Sequence, residues 1–477
     1  MLRNLIGADW RPASDGAASL PVFNPATGDV IEQVPLSGER DVDAAVAAAA
    51  QAFSGWSRTA LMDRVRLMFR YKAVLEDHFE ELAAIVTRHH GKTLEESRGE
   101  VRRGIEVVDF ACGAPTLLQG RTVRDVSGGV DQDLYRYPVG VCAGIPPFNF
   151  PVMIPLWMFP LSVVAGNTFV LKPSERTPLG GQRLAELFLE AGFPEGVLNV
   201  VHGAREVVDS LLVHPKVAAI SFVGSAPVAK HVYETAAAHG KRVQALGGAK
   251  NHIVVMPDAD PAVVVPAILN SAFGNAGERC LAGSVAVGVG RAADALLDPL
   301  KDAASRLVVG PGDDPRVQVG PLIRAEHRDR VAGYVDKGVA EGAELVIDGR
   351  GEMSRAGFFL GPTILDRVTA GMAVGREEIF GPVLSFARAA SLDDAIEQAN
   401  RMALGNMATI FTQSGRSAHE FREKVEAGMT GINVPIAQPF AFFPFSGWKG
   451  SFYGDLHVHG TDGVDFYTRK KVVVTRW

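Results

Sequence analysis

Cys280 lies in the stretch Phe273-Gly-Asn-Ala-Gly-Glu-Arg-Cys-Leu-Ala-Gly283. A thiolate is a strong, soft nucleophile toward a carbonyl carbon. The flanking residues are small, which leaves room for a substrate. Arg279 directly precedes the sulfur, and a neighbouring cation is expected to lower the thiol pKa. Taken alone, a cysteine is also a small buried hydrophobe, so the other segments have to decide.

Four further segments carry residue types that suit this chemistry. In Pro146-Pro-Phe-Asn-Phe-Pro151 a rigid turn holds Asn149, whose amide can donate to a developing oxyanion. In Leu171-Lys-Pro-Ser-Glu-Arg-Thr-Pro178, Lys172 and Glu175 follow an apolar run. Lys172 suits a ribose hydroxyl or a phosphate, and Glu175 suits the adenosine ribose hydroxyls. A carboxylate there repels the extra phosphate of NADP, so NAD is the expected cofactor. Gly224-Ser225 opens a helix, where free backbone N–H groups bind pyrophosphate. In Glu377-Glu-Ile-Phe-Gly-Pro382, Glu378 suits a second ribose and Phe380 suits the back of a nicotinamide. Each segment also has a plain structural reading as a cap, a turn or a core residue.

The elements that would position these residues alternate in type. Apolar spacing predicts helices over 41–53, 62–81 and 95–110 and a hairpin over 123–137. Strands are expected at 139–145, 168–171, 197–201, 218–223 and 242–246, with helices at 180–191, 206–212 and 226–238 between them. That alternation predicts a doubly covered parallel sheet of Rossmann type, although the G-x-G-x-x-G turn is absent. A second α/β region is expected from strands at 253–256, 284–289 and 408–412 and helices at 262–275, 326–342 and 393–403. The basic, alternating tail 464–474 reads as a strand that completes a sheet in another subunit.

A chain of 477 residues implies two or three domains. With 47% apolar and 21% charged residues and a net charge of −6, it has an ordinary globular balance. No basic tract points to nucleic acid. Three cysteines argue against a disulfide framework. The most apolar region, 144–171, is interrupted by five prolines, so no membrane span is expected, and a cytoplasmic enzyme is. The twelve histidines are scattered, His457 and His459 included, and no metal site is expected.

The five motifs, in this order, resemble the aldehyde dehydrogenase superfamily from about residue 20 onward. The resemblance implies Cys280 as nucleophile, Asn149 as oxyanion donor, and NAD along Pro146, Phe148, Lys172, Glu175, Ser225 and Glu378. Hydrolytic members carry Glu-Leu-Gly-Gly-Lys, whose Glu activates water. This chain reads Gln244-Ala-Leu-Gly-Gly-Ala-Lys-Asn-His252, which puts Leu246, or Ala245 with a one-residue gap, in the place of that base. Neither deprotonates water, so a thiol is expected to take the acyl group.

Gly-Gly-Ala-Lys-Asn-His, Gly-Glu-Arg-Cys-Leu-Ala, Phe443-Pro-Phe-Ser-Gly-Trp-Lys449 and Asp465-Phe-Tyr-Thr-Arg-Lys-Lys471 are similar to the CoA-acylating methylmalonate-semialdehyde dehydrogenases. That likeness implies substrate contacts at Arg279 and Arg103, the latter interchangeable with Arg102 from sequence alone, and cofactor contacts at Arg176 and Gly247. The expected fold is α/β: a Rossmann-type NAD-binding domain (1–118 and 140–248), an α/β catalytic domain (249–430), and a small β oligomerisation element with the C-terminal segment (119–139 and 431–477). The implied reaction is NAD-dependent, CoA-acylating oxidation of (methyl)malonate semialdehyde with decarboxylation, by a homotetramer built as a dimer of dimers. The alternative is a hydrolytic NAD-dependent aldehyde dehydrogenase acting on another small aldehyde.

Overall fold

The computed structural model describes residues 1–14 and 18–477. Two sheets organise the chain. In the first, five parallel strands run in the order Leu198–Val200, Thr168–Leu171, Val141–Ile145, Val217–Val223, Arg242–Leu246. These strands are almost wholly buried, as a parallel sheet with helices on both faces requires. The helices Glu39–Trp56, Arg205–Val213 and Ala226–Ala238 cover one face. The other face carries Leu61–Asp77, Leu94–Cys112, Met153–Val164 and Pro178–Glu190. Chain order reverses between Val141–Ile145 and Val217–Val223. Such a switch point opens a crevice beyond the C-terminal strand ends.

The second sheet has six parallel strands in the order Thr363–Asp366, Val383–Ala389, Val285–Val289, His252–Val255, Met407–Phe411, Met429–Ile432, with Glu344–Ile347 antiparallel at one edge. The apolar helix Met153–Val164 is buried along its whole length. It is a core element, and among the described residues no helix is long and apolar enough to cross a membrane.

Three features differ from the expected elements. The helix expected over 62–81 is two helices, Leu61–Asp77 and Phe79–His90. They break at His78 because the second must turn Leu82, Ala83 and Val86 into the core. The tail is a short helix, Gly460–Phe466, followed by the strand Thr468–Arg476. That strand pairs with Val130–Pro138 of its own chain over nine positions and forms one edge of a three-stranded sheet. Residues 431–477 are also shared out: Met429–Ile432 ends the second sheet, and Phe452–Tyr453 joins the edge of the first.

Candidate active site

The loop that carries Cys280 is built from strained backbone. The helix Pro261–Phe273 stops, and Asn275, Ala276 and Gly277 follow with φ of 55°, 51° and 71°. A Cβ at Gly277 would lie 2.1 Å from the carbonyl oxygen of Gly381, so only glycine fits. Left-handed residues cost about 1–3 kcal/mol each and persist where their surroundings over-determine them. Here asparagine amides do so. Asn149 Nδ2 and Asn275 Nδ2 donate to the carbonyl of Glu278 at 2.9 and 2.7 Å. Asn251 Nδ2 and Asn406 Nδ2 both donate to the carbonyl of Cys280 at 2.9 Å.

Two cavities meet at this loop, and Cys280 is the one residue that lines both. The larger, about 810 Å³, lies at the switch point of the first sheet. Pro146, Phe148, Asn149, Lys172, Glu175, Arg176, Ser225, Gly247, Glu378 and Phe380 all line it. Lys172 Nζ donates to Glu175 Oε2 at 2.9 Å. Burial raises the Glu175 pKa, but Lys172, its own backbone N–H and Arg176 together outweigh it and leave the carboxyl below its ordinary value. Ser225 gives no side-chain cap to the helix Ala226–Ala238, whose first residues line the cavity. Free N–H groups therefore face a site next to a ribose-type Lys–Glu pair, a donor set that fits a dinucleotide.

The smaller cavity, about 210 Å³, is walled by Arg103, Arg279, Lys92, Glu96 and aromatic side chains. Glu96, Glu100 and Arg103 share one face of the helix Leu94–Cys112. Arg102 lies one step round, donates to Glu76 at 2.6 Å, and sits over Phe79. Helix phase thus places Arg103, not Arg102, at the cavity. Arg103 pairs with Glu106 at 3.1 Å over the ring of Phe440. Arg279 has one long ion pair, 3.9 Å to Glu96 Oε1, an oxygen that also accepts from the N–H of Asn275 at 2.6 Å. Its guanidinium retains donors for an incoming carboxylate.

The expectation of a depressed Cys280 pKa is not met. Burial, and next the Glu378 carboxylate, push the thiol up to about 12, against smaller opposing effects of Arg279 and of the N–H groups of Cys280 and Leu281. Burial also pushes Glu378 up to about 7, although it accepts from the N–H of Ala249 at 2.8 Å. The buried Lys250 is pushed down to about 7 by the same cause.

Among the lining residues, every carboxylate is already hydrogen-bonded to protein donors. Glu96 and Glu100 hold backbone N–H groups, Glu175 holds Lys172, Glu377 holds Tyr334, and Glu378 holds Ala249. Ala245 and Leu246 are buried and line neither cavity. Lys92, Glu96, Glu100, Asn251, Asn275 and Asn406 had no signal in the sequence beyond their types, except that Asn275 stands inside the cysteine motif and Asn251 inside Gly-Gly-Ala-Lys-Asn-His.

A model of the aldehyde dehydrogenase family matches residues 10–473. The chain belongs to the aldehyde dehydrogenase family. It is 55% identical over 478 residues to malonate-semialdehyde dehydrogenase 1 of Geobacillus thermodenitrificans (strain NG80-2), covering 100% of this chain and 99% of that one. It is 54% identical to the malonate-semialdehyde dehydrogenase of Halalkalibacterium halodurans, at 100% and 98% coverage. Among solved structures, methylmalonate-semialdehyde dehydrogenase from Oceanimonas doudoroffii superposes with a TM-score of 0.98 at 47% identity, covering 100% and 98%. A Sinorhizobium meliloti 1021 relative complexed with NAD gives 0.98 at 43% identity and the same coverage.

The charge around the sulfur is testable. Glu378→Gln keeps an acceptor for the N–H of Ala249 but removes the negative neighbour of the thiol. The Cys280 pKa then falls, and iodoacetamide labelling at about pH 8.5, where Glu378 carries its charge, speeds up by about 3–10-fold. Unchanged or slower labelling of the folded variant contradicts this electrostatic picture.

Proposed function

We propose that this enzyme oxidises malonate semialdehyde, or its 2-methyl derivative, with NAD and transfers the acyl group to coenzyme A with loss of the substrate carboxylate. The observation that carries this reading is the position of Cys280 between a dinucleotide-sized cleft and a small cavity with two arginines. The likeness to enzymes named malonate-semialdehyde dehydrogenases supports it.

In this reading Arg103 and Arg279 hold the carboxylate and leave the aldehyde carbon at the sulfur. The Cys280 thiol gives up its proton to solvent, its sulfur forms a bond to that carbon, and the carbonyl π electrons move onto oxygen as an oxyanion. The second N–H of the Asn149 amide and the backbone N–H of Cys280 donate to it. NAD, held by Lys172, Glu175, Ser225 and Glu378, supplies the hydride acceptor that converts the adduct into a thioester. The carboxylate is then β to a thioester carbonyl. Its C–C bond breaks, carbon dioxide leaves (free or as bicarbonate), and the electron pair moves into the carbonyl as an enolate. Protonation at carbon leaves an acetyl or propionyl thioester. The thiolate of coenzyme A attacks the carbonyl carbon, and the Cys280 sulfur departs. The competing hydrolysis would need a lining carboxylate as base; each already accepts a protein hydrogen bond, and Glu378, raised to about 7, is the one best matched to that role.

The assembly proposed is a homotetramer, a dimer of dimers. Phe440, Phe442, Phe443 and Trp448 are more than half exposed, as are Val472 and Val474 on the terminal strand. That strand and the fully exposed strand Arg121–Ser127 are the open edges of their sheet, and open edges pair with other chains. Light scattering is expected to give four times the 50.8 kDa chain mass; a monomer at assay concentration overturns this part.

The decisive assay mixes enzyme, NAD and either semialdehyde with and without coenzyme A, and identifies the products by mass spectrometry. Acetyl-CoA or propionyl-CoA is expected, with a single burst of NADH when coenzyme A is withheld. Steady release of free acid at the same rate without coenzyme A assigns a hydrolytic dehydrogenase instead.

Arg103→Leu removes one charge-assisted contact, worth about 1.5–3 kcal/mol. The KM for the semialdehyde is expected to rise about 10–100-fold while kcat stays within a few-fold. Propanal, which has no carboxylate, should show no such rise. An equal effect on both aldehydes removes Arg103 from carboxylate binding.

A further inference from the structure

Lys92 has no exposed side-chain surface and stands next to the reacting centre. Its Nζ donates to Glu100 Oε2 at 2.7 Å and to the backbone carbonyl of Asn149 at 2.6 Å, and it lies 4.1 Å from the ring centroid of Phe150. The other carboxylate oxygen of Glu100 accepts from the N–H groups of Val152 and Met153 at 2.8 and 3.2 Å. The pair therefore grips the Asn149 turn at both ends, by the carbonyl of 149 and by the first N–H groups of the helix Met153–Val164.

The backbone of Lys92 is itself clamped from the second domain. The N–H of Leu94 donates to the carbonyl of Gly312 at 2.8 Å. A Cβ on Gly312 would come within 2.2 Å of the Lys92 carbonyl oxygen. Lys92 thus spans from the body that carries Cys280 to the turn that carries Asn149.

Burying an ammonium and a carboxylate is costly, and an apolar pair of the same volume is often as stable or more so. A full charge on the Asn149 carbonyl does what an apolar side chain does not: it fixes the 149–150 peptide. The Asn149 amide is then left with one N–H on the Glu278 carbonyl at 2.9 Å and the other for the substrate oxygen.

We propose that Lys92, paired with Glu100, is a positioning residue that fixes Asn149 as oxyanion donor relative to Cys280. The inference rests on the reading of Asn149 under the proposed function. It predicts a defect in every step that passes through an oxyanion and none in cofactor binding.

Lys92→Met removes the donor at similar volume. The double variant Lys92→Met/Glu100→Gln also removes the carboxylate that would otherwise be left buried and unpaired, and keeps an acceptor for Val152. The expected result for both is a pre-steady-state NADH burst slowed by about 10–100-fold, below the roughly 10²–10³-fold cost of losing an oxyanion donor outright. NADH affinity, the KM for the semialdehyde and the iodoacetamide labelling rate of Cys280 should stay within about 3-fold. Lys92→Arg, which keeps a cation, should recover part of the burst rate.

A burst within 3-fold of the unmodified enzyme in a folded variant overturns the proposal. So does a parallel loss of labelling and NADH binding, or failure of the double variant to fold, since the pair would then be purely structural. Asn149→Ala separates the two inferences. If it leaves the burst unchanged, the oxyanion reading itself is wrong. If it abolishes the burst while Lys92→Met does not, only the positioning role of Lys92 fails.

Discussion

The site depends on where the backbone carbonyls of the cysteine loop find their hydrogen bonds. After the short 3-10 turn Gly274–Gly277, residues 278–283 lie in neither helix nor sheet, and buried carbonyls do not stay unpaired. Amides from Asn149, Asn251, Asn275 and Asn406 take up those of Glu278 and Cys280. Each bond contributes about 1 kcal/mol net, so together they offset the left-handed backbone at 275–277. They also fix direction. Asn149 comes from the first sheet, Asn251 and Asn406 from the second, and the sulfur is located by both bodies at once.

That anchoring explains why an uncharged thiol at rest suits this position. Burial keeps Cys280 protonated at neutral pH, and the Glu378 carboxylate adds to the effect. A protonated, recessed thiol reacts slowly with stray electrophiles. Arg279 and the N–H groups of Cys280 and Leu281 act the other way, and they are the groups that favour the thiolate. Arg103 and Arg279 line the small cavity together with Cys280.

Much of the site was legible because of one topological regularity. Each large-cavity motif of the first sheet follows the C-terminal end of a parallel strand: Pro146 after Val141–Ile145, Lys172 after Thr168–Leu171, Ser225 after Val217–Val223, Gly247 after Arg242–Leu246. Strand and helix period are local signals, and the switch point then brings those ends together. The residues that escaped act across long separations. Lys92 reaches Asn149 over 57 positions and Asn406 reaches Cys280 over 126, and no local period marks such a pair. The thiol pKa was misread for a related reason. The neighbour in sequence, Arg279, was visible, whereas burial and Glu378 are properties of the fold. The tail was read as one strand because Gly460–Phe466 is too short to show a helical period.

The missing base is also a matter of strand phase. Side chains alternate across a strand, and Ala245 and Leu246 fall into different cores: Ala245 with Ile145 and Phe222, Leu246 with Val223, Leu281 and the flank of Cys280. Of the two positions left open by the sequence, only 246 shares a side of the sheet with the nucleophile. It is 4% exposed, and a carboxylate there would have to be desolvated without a partner, at a cost of several kcal/mol. Such a group would hold its proton rather than take one from water. A single substitution at 246 therefore does not supply a working base unless the surrounding core also opens to solvent.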